Sequence, residues 1–72
     1  MSSPLTKRQK EVFDFIVVFQ TKWGFAPTLR EIAEAFGFKN HSSAQYLIGQ
    51  LIVKGYIKNY PNKERGLEII NG

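Results

Sequence analysis

Cysteine is absent from this chain of 72 residues, and histidine occurs once, as His41. Without cysteine there can be no disulfide, no thiolate metal site and no cysteine nucleophile. A histidine-based metal site or a serine–histidine catalytic pair would have to draw on His41 alone. These absences argue against the commonest catalytic and metal-binding sites.

Long apolar stretches are also missing. No run approaches the roughly 18 apolar residues that a membrane-spanning helix needs. The first eight residues, Met-Ser-Ser-Pro-Leu-Thr-Lys-Arg, lack the apolar segment of a signal peptide. We therefore expect a soluble protein of the cytoplasm that makes no contact with a membrane.

The short length limits what the chain can build. Residues 1–72 are enough for one small domain, which buries only roughly 60% of the surface of its unfolded chain. A core of this size leaves no room for the deep pocket that most enzymes use. We expect a single domain over 1–72 that takes no cofactor and no small-molecule ligand.

Acidic residues provide no convincing catalytic site. Glu11 and Asp14, and likewise Glu31 and Glu34, are three residues apart and could in principle hold a metal or transfer protons. Such pairs far more often lie on solvated helix faces, and the six glycines form no phosphate-binding loop. The sequence therefore predicts that the chain is not an enzyme and binds no metal.

Apolar residues recur at helical spacing in the first third of the chain. Thr6 and Gln9 form a capping box, and Gly24 follows the last periodic residue, which predicts a helix over Thr6–Lys22. Val17 and Val18 point away from its apolar face. That face consists of Leu5, Val12, Ile16, Phe19 and Trp23.

Two shorter helices follow. A capping box of Thr28 with Glu31 and the terminator Gly37 predict a helix over Thr28–Phe36. A third helix is expected over Asn40–Lys54, with Asn40 or Ser42 as its N-cap. Its apolar face is predicted to contain Ala44, Leu47, Ile48, Leu51 and Ile52.

The pattern changes after Gly55. Tyr56–Tyr60 and Leu67–Ile70 are rich in strand-forming residues, and the segment 61–66 between them has the composition of a turn. The predicted fold class is therefore mainly α with a small β-hairpin. A short turn beginning with Gly37 joins the second and third helices, as in a helix-turn-helix that places its second helix in the DNA major groove.

The third helix carries small and amide side chains at its beginning. Amides can pair with adenine, and hydroxyls can donate to or accept from base edges. Tyr46 could reach a base or a phosphate. The candidate base-reading residues are Asn40, Ser42, Ser43, Gln45 and Tyr46, with capping and solvent exposure as the alternative explanation for their polarity.

Positive charge is concentrated near the same elements. The chain has ten lysines and arginines against six acidic residues, a formal net charge of +4. Basic residues that neutralise DNA phosphates supply affinity for any sequence, although a charged surface can also serve solubility. The predicted phosphate-binding residues are Lys7, Arg8, Thr28, Lys39, Lys54, Lys63 and Arg65.

Five short motifs, in order, resemble the LexA repressors. The segment from Leu5 to Ile16 resembles their opening, and the match continues without gaps to about Ile70. The other motifs are Pro27-Thr28-x-x-Glu31-Ile32-Ala33, Gly37-Phe38-Lys39, Lys54-Gly55-x-Ile57 and Arg65-Gly66. The resemblance implies a three-helix winged helix-turn-helix, a transcriptional repressor of the SOS response that binds inverted half-sites in operator DNA, usually as a dimer.

The chain also departs from that family. LexA repressors continue into a self-cleaving protease domain that also dimerises them, and we expect no such domain in this chain, whose sequence ends at Gly72. We expect either an excised DNA-binding domain or a stand-alone relative, associated with the bacterial nucleoid or encoded by a phage or plasmid. In either case we expect a monomer that pairs as a homodimer only on DNA. The family commonly has acidic residues where Gln45 and Tyr46 stand, which predicts a different operator.

Two other classes of function stay open on the sequence. Val17 and Val18 could form a contact surface for a protein partner on the same fold. Tyr56 and Tyr60 on the hairpin could stack on bases of RNA or single-stranded DNA. Binding to random duplex DNA at several salt concentrations, with competition by single strands and RNA, distinguishes these functions.

Overall fold

Three helices followed by an antiparallel hairpin make up the computed structural model, which describes residues 4–70. Helix α1 spans Lys7–Trp23, α2 spans Leu29–Phe36 and α3 spans His41–Val53. The strands are β1, Ile57–Asn59, and β2, Leu67–Ile69. This order confirms the predicted fold class, a mainly helical winged helix-turn-helix.

Both predicted capping boxes are present at the starts of α1 and α2. The Thr6 hydroxyl accepts a hydrogen bond from the Gln9 amide at 3.2 Å, and the Thr6 amide donates to Gln9 Oε1 at 3.0 Å. The corresponding distances between Thr28 and Glu31 are 3.1 Å and 2.8 Å. Each box satisfies backbone donors that a helix start leaves without partners, so local sequence fixes where α1 and α2 begin.

Helix α3 begins after Asn40. The Asn40 side-chain oxygen accepts from the Ser42 amide at 3.0 Å, so Asn40 rather than Ser42 is the N-cap. Gly37 ends α2 with a left-handed φ of 70°, and its amide bonds to carbonyls of the last turn of that helix. A conformation that suits glycine therefore makes the sharp turn between the two helices.

The core is a small aliphatic cluster between the three helices and β1. The buried residues of α1 and α3 recur three or four apart, as burial of one helix face requires. Full burial of each large aliphatic side chain contributes about 1.5–3 kcal/mol. The almost completely buried members are Val12, Ile16, Ile32, Ala33, Ala44, Ile48, Leu51 and Ile57.

The buried side of α1 differs from the predicted apolar face. Trp23, expected in the core, is 55% exposed, because the buried residues of α1 end at Ile16 and the later turns extend beyond the cluster. Phe13, which the predicted face omits, is buried and meets the ring of Tyr56 edge-on at 5.4 Å. Val17 is half-buried against the core, so Val18, 63% exposed, is the exposed member of that pair.

The hairpin is shorter than predicted. Ile57 pairs with Ile69 and Asn59 with Leu67, which gives three residues in each strand. The Tyr60 amide donates to the Gly66 carbonyl at 2.8 Å, and the Lys63 amide donates to the Tyr60 carbonyl at 3.1 Å. The turn therefore begins at Tyr60, inside the predicted first strand.

No helix within residues 4–70 is both long enough and apolar enough to cross a membrane.

Two glycine substitutions should change stability in opposite directions. Alanine at Gly66 would place its Cβ against the Tyr60 carbonyl oxygen, whereas a Cβ at Gly49 meets nothing within 4 Å. We expect Gly66→Ala to lower the free energy of unfolding by about 1–3 kcal/mol, a typical cost of forced overpacking. Gly49→Ala should raise it by about 0.5–1 kcal/mol, because alanine is favoured inside a helix.

Urea unfolding followed by circular dichroism measures both changes, and each variant serves as the control for the other. A Gly66→Ala protein as stable as the parent would contradict the close approach at the hairpin turn.

Candidate nucleic-acid interface

The exposed side of α3 brings the predicted base-reading residues together. Asn40, the N-cap, is exposed, and so are the four other candidates in the first two turns of α3: Ser42, Ser43, Gln45 and Tyr46. Ala44, Ile48 and Leu51 are buried on the other side of the helix. Because that side is fixed in the core, the hydroxyl and amide groups of the first two turns face outward as a set.

Apolar side chains lie further along the same exposed surface. Tyr46 is 66% exposed, and Val53, seven residues later, is also strongly exposed. Ile52, predicted for the core, is partly exposed as well. Val53 and Tyr46 share a helix face, because seven residues are close to two turns. This surface therefore combines amides and hydroxyls with apolar groups, which is the mixture that base edges and thymine methyl groups require.

Arg8 places positive charge beside the helix-turn-helix turn. Its guanidinium carbon lies 5.8 Å from the ring centroids of both Phe36 and Phe38, and it pairs with Glu11 at 3.1 Å. Phe36 ends α2, and Phe38 and Lys39 lie within the turn, where the Lys39 side chain is exposed. Lys7 is also exposed at the first position of α1. The start of α1 and the turn thus form one basic region.

Lys54 has a different environment from the one the sequence suggests. Its ammonium donates to Gln9 Oε1 at 2.6 Å and to the Pro4 carbonyl at 2.9 Å. Gln9 is only 6% exposed. The Lys54 side chain therefore faces the start of α1 and ties the end of α3 to it, an internal contact that the sequence did not predict.

The side of the hairpin that faces α2 forms a groove with the start of that helix. Thr28 and Arg30 line it from the helix, and Lys63 lines it from the hairpin turn. The Lys63 ammonium is 5.7 Å from the Tyr60 ring centroid, and its side chain is exposed. Lys63 and Thr28 were expected at phosphates. Arg30 was not among the candidates.

Arg65 likewise has partners within the domain that the sequence did not predict. Its Nη1 donates to Glu31 Oε1 at 2.7 Å and to the Ala26 carbonyl at 3.0 Å, and its Nη2 donates to Glu31 Oε2 at 3.0 Å. Its guanidinium carbon lies 4.5 Å from the Phe25 ring centroid. Arg65 therefore faces α2 and the loop before it, because the Glu31 carboxylate there accepts hydrogen bonds from both of its Nη atoms.

The ion pair shifts the titration of both partners. Hydrogen bonds from Arg65, and then from the Thr28 amide, lower the pKa of Glu31 from 4.5 to about 2. The same carboxylate raises the pKa of Arg65. Nearby, the Tyr60 hydroxyl donates to Glu68 at 2.7 Å, and this hydrogen bond raises the pKa of Tyr60. The pair between Glu31 and Arg65 is therefore ionised at neutral pH.

Metal-binding clusters are not part of this surface. Within the stretch from residue 4 to residue 70, no three histidine, cysteine, aspartate or glutamate side chains come together as a site that could hold a metal ion.

Comparison with known protein families identifies the fold. The model of the LexA DNA binding domain matches residues 2–66. This chain belongs to that family. Similar relatives include the LexA repressor of Staphylococcus haemolyticus, 47% identical over 68 residues, and that of Bifidobacterium adolescentis, 45% identical over 69 residues. The LexA repressor of Caldicellulosiruptor saccharolyticus is 39% identical over 71 residues.

The match covers nearly all of this chain but a minor part of its relatives. It takes in 96% of the chain and 27% of the Bifidobacterium protein, and 93% and 32% for the Staphylococcus protein. For the Caldicellulosiruptor protein the shares are 99% and 35%. The chain thus spans about a third of the length of the LexA repressors it matches.

Arg30 is the candidate contact in this LexA family domain that sequence reasoning missed. Its neighbours Glu31 and Glu34 make α2 look acidic, and Arg30 forms an exposed pair with Glu34 at 3.4 Å. The available signal was position: Arg30 is the second residue of α2, two residues after the capping Thr28. A basic residue so placed can face whatever anion approaches the helix start.

The ion pair of Glu31 predicts a specific acid response. Because the pKa of Glu31 is lower in the folded protein than its ordinary 4.5, the pair stabilises the fold fully above about pH 4.5. That contribution is lost as the pH falls toward the folded value of about 2. We expect Glu31→Gln, which retains an oxygen for the capping box, to melt at a lower temperature than the parent at pH 7.

The difference in melting temperature should shrink between pH 4.5 and pH 2. Glu34→Gln is the control, because its exposed pair with Arg30 should contribute only about 0–1 kcal/mol. Calorimetric scans across this pH range provide the measurement. A Glu31→Gln deficit that stays constant from pH 7 to pH 2 would show that the carboxylate charge is not its source.

Proposed function

We propose that this chain binds double-stranded DNA at specific sequences and represses transcription, as a LexA-type regulator of the SOS response. The observation that carries the proposal is the outward-facing polar surface of the first two turns of α3, fixed from behind by Ala44, Ile48 and Leu51. The names of the similar LexA repressors support the same function.

Base recognition is assigned to the start of α3. Gln45 can pair with adenine through both its amide groups, and Ser42 and Ser43 can donate or accept at neighbouring base edges. Asn40 uses its side-chain oxygen as the cap of α3, which leaves its amide N–H groups as donors to DNA. Tyr46, exposed next to Gln45, supplies a ring and a hydroxyl.

Phosphate binding is assigned to basic groups on both sides of α3. Lys7, Arg8 and Lys39 lie around the helix-turn-helix turn, whereas Thr28 and Lys63 lie at the groove between α2 and the hairpin. Lys54 and Arg65 are left out of this set because their charged groups bond to distant parts of the chain, whereas the pair of Arg8 with Glu11 is exposed and lies within one helix. Such contacts fix the position of the domain on the duplex, and the α3 side chains read the sequence.

The wider biological setting is part of the same proposal. The domain works as one unit over residues 1–72, in the bacterial cytoplasm, without a cofactor and without a catalytic step of its own. It occupies inverted half-sites as a homodimer that forms on DNA. The family match to a DNA-binding domain supports the DNA partner, and the pairing of two copies is our inference from the resemblance.

One observation favours a second function, contact with a protein partner. Val18, Trp23 and Phe25 are exposed near the junction of α1 and α2. The Phe19 ring lies 6.3 Å from that of Trp23 and 5.9 Å from that of Phe25. An exposed aromatic cluster of this kind often marks a protein contact surface.

The binding of single strands has weaker support. Tyr56 is half-buried with its ring against Phe13, and the Tyr60 hydroxyl is bonded to Glu68. Tyr56 therefore offers no open ring on which an unpaired base could stack, which leaves the exposed Tyr60 as the single ring of this pair that could do so.

Selection of bound duplexes from a random DNA pool tests the proposed function. We expect a consensus with two inverted half-sites, because a symmetric pair of domains reads symmetric DNA. Binding to this duplex should weaken steeply as salt rises and should resist competition by RNA and single strands. Enrichment of no sequence would contradict specific recognition, and absence of binding even at low salt would favour the protein-contact function.

Substitution of Gln45 tests base reading. Gln45→Ala should lose about 1–3 kcal/mol of affinity for the selected duplex and much less for random DNA, because a base contact carries sequence preference. Gln20→Ala is the matched control, since Gln20 is exposed on α1, away from this surface. Fluorescence anisotropy titrations give both affinities. Equal losses on the two duplexes would exclude Gln45 as a base reader.

A further inference from the structure

We propose that Arg65 is a positioning residue, whose ion pair with Glu31 holds the hairpin turn against α2 so that Lys63 can bind a DNA phosphate. The inference rests on the proposed function, because it concerns how the same surface binds DNA. In this arrangement Arg65 itself does not contact DNA. Its contribution passes through Lys63, two residues earlier in the turn.

The contacts of Arg65 connect parts of the chain that are far apart in sequence. Glu31 and Ala26 lie 34 and 39 residues before it, and its guanidinium also covers the ring of Phe25. One planar group thus touches the first turn of α2, a backbone carbonyl of the preceding loop and an aromatic ring. A bidentate pair of this kind fixes direction as well as distance.

The rest of the turn makes its hydrogen bonds within the hairpin. Tyr60 bonds to Gly66 and Glu68, and the Lys63 amide bonds to the Tyr60 carbonyl. Two-stranded hairpins of this length are marginally stable on their own. Ile57 of β1 is buried in the core and Leu67 and Ile69 of β2 pack against it, but no residue of the turn, 60–66, belongs to that cluster. Arg65 is therefore well placed to determine where the turn lies relative to the helices.

Lys63 depends on that placement for its direction. It shares the groove with Thr28 and Arg30, which belong to α2. A phosphate that contacts both walls of the groove needs them at a fixed separation, and a site held in its bound shape loses less entropy on binding. When the pair between Arg65 and Glu31 opens, we expect the turn to move relative to α2 and Lys63 to lose its contact with the DNA phosphate.

The two partners carry opposite charges, and this separates a positioning role from a purely electrostatic one. Arg65→Gln removes a positive charge and Glu31→Gln removes a negative charge. If Arg65 acted on DNA through its charge alone, Arg65→Gln would weaken binding and Glu31→Gln would strengthen it. If the pair positions the turn, both substitutions should abolish the contribution of Lys63.

The test measures the salt dependence of binding to a random-sequence duplex. Lys63→Ala in the parent protein should lower the magnitude of the slope of log K against log salt by about 0.9, the loss of one phosphate contact. In the Arg65→Gln and Glu31→Gln backgrounds, adding Lys63→Ala should leave the slope almost unchanged. Glu34→Gln is the matched control: it removes one negative charge from α2, and Lys63→Ala should retain its full effect there.

A measurement without DNA separates this inference from the proposed function. Backbone ¹⁵N relaxation in the parent protein should give order parameters at Lys63 and Glu64 near the rigid value of about 0.85. In the folded Arg65→Gln and Glu31→Gln proteins they should fall toward about 0.6 or lower, with α3 unchanged.

Two results would overturn the positioning role. One is a parent protein whose Lys63 amide is already as mobile as a loop. The other is a full effect of Lys63→Ala in both pair-breaking backgrounds. Failure of the parent to bind DNA at low salt would instead refute the proposed function, while the relaxation data would still report whether the pair holds the turn.

Discussion

Burial of one side of α3 against the other helices is the contact on which the rest of the structure depends. Ala44, Ile48 and Leu51 are almost completely covered, and they set which residues of α3 face outward. A single large-to-small change in such a core costs about 2–5 kcal/mol, against a total stability of about 5–15 kcal/mol for a typical domain. The orientation of the polar surface therefore depends on a few aliphatic side chains.

Local sequence was enough to predict most of the fold. The capping boxes at Thr6 and Thr28 and the terminator Gly37 act within one turn, so their residues can be recognised without knowledge of the rest of the chain. The predicted burial of α1 was wrong at Trp23, which is exposed, and at Phe13, which is buried. Periodicity identifies a helix face, but it does not tell how far the partner elements extend along that face or which ring of the hairpin covers it.

Part of the candidate site could also be predicted from the sequence, and part of it could not. The exposed polar start of α3 follows from its sequence, because the buried positions of a helix define the opposite side. Lys54 and Arg65 have acceptors 45 and 34 residues away, on α1 and α2. Basic residues near a predicted DNA surface look alike in sequence whether they face solvent or an acceptor within the domain. The distinction requires tertiary structure.

Lys54 and Arg65 make the same kind of contact at the starts of α1 and α2. In each capping box, the glutamine or glutamate that closes the box also accepts a hydrogen bond from a basic side chain in the C-terminal half of the chain. Gln9 accepts from Lys54, and Glu31 accepts from Arg65. The box already holds that acceptor in one rotamer, so the distant contact orders fewer side chains when it forms. A local motif thereby prepares a long-range one.

This double use makes positions 31 and 65 mutationally interdependent. Glutamine at position 31 could close the capping box but not balance the charge of Arg65. Loss of Arg65 would leave the Glu31 carboxylate without its ion-pair partner. Exchange at either position alone is therefore penalised, whereas a compensating exchange at both is tolerated better than the single changes suggest. Variation at the start of α2 and in the hairpin turn should accordingly be epistatic.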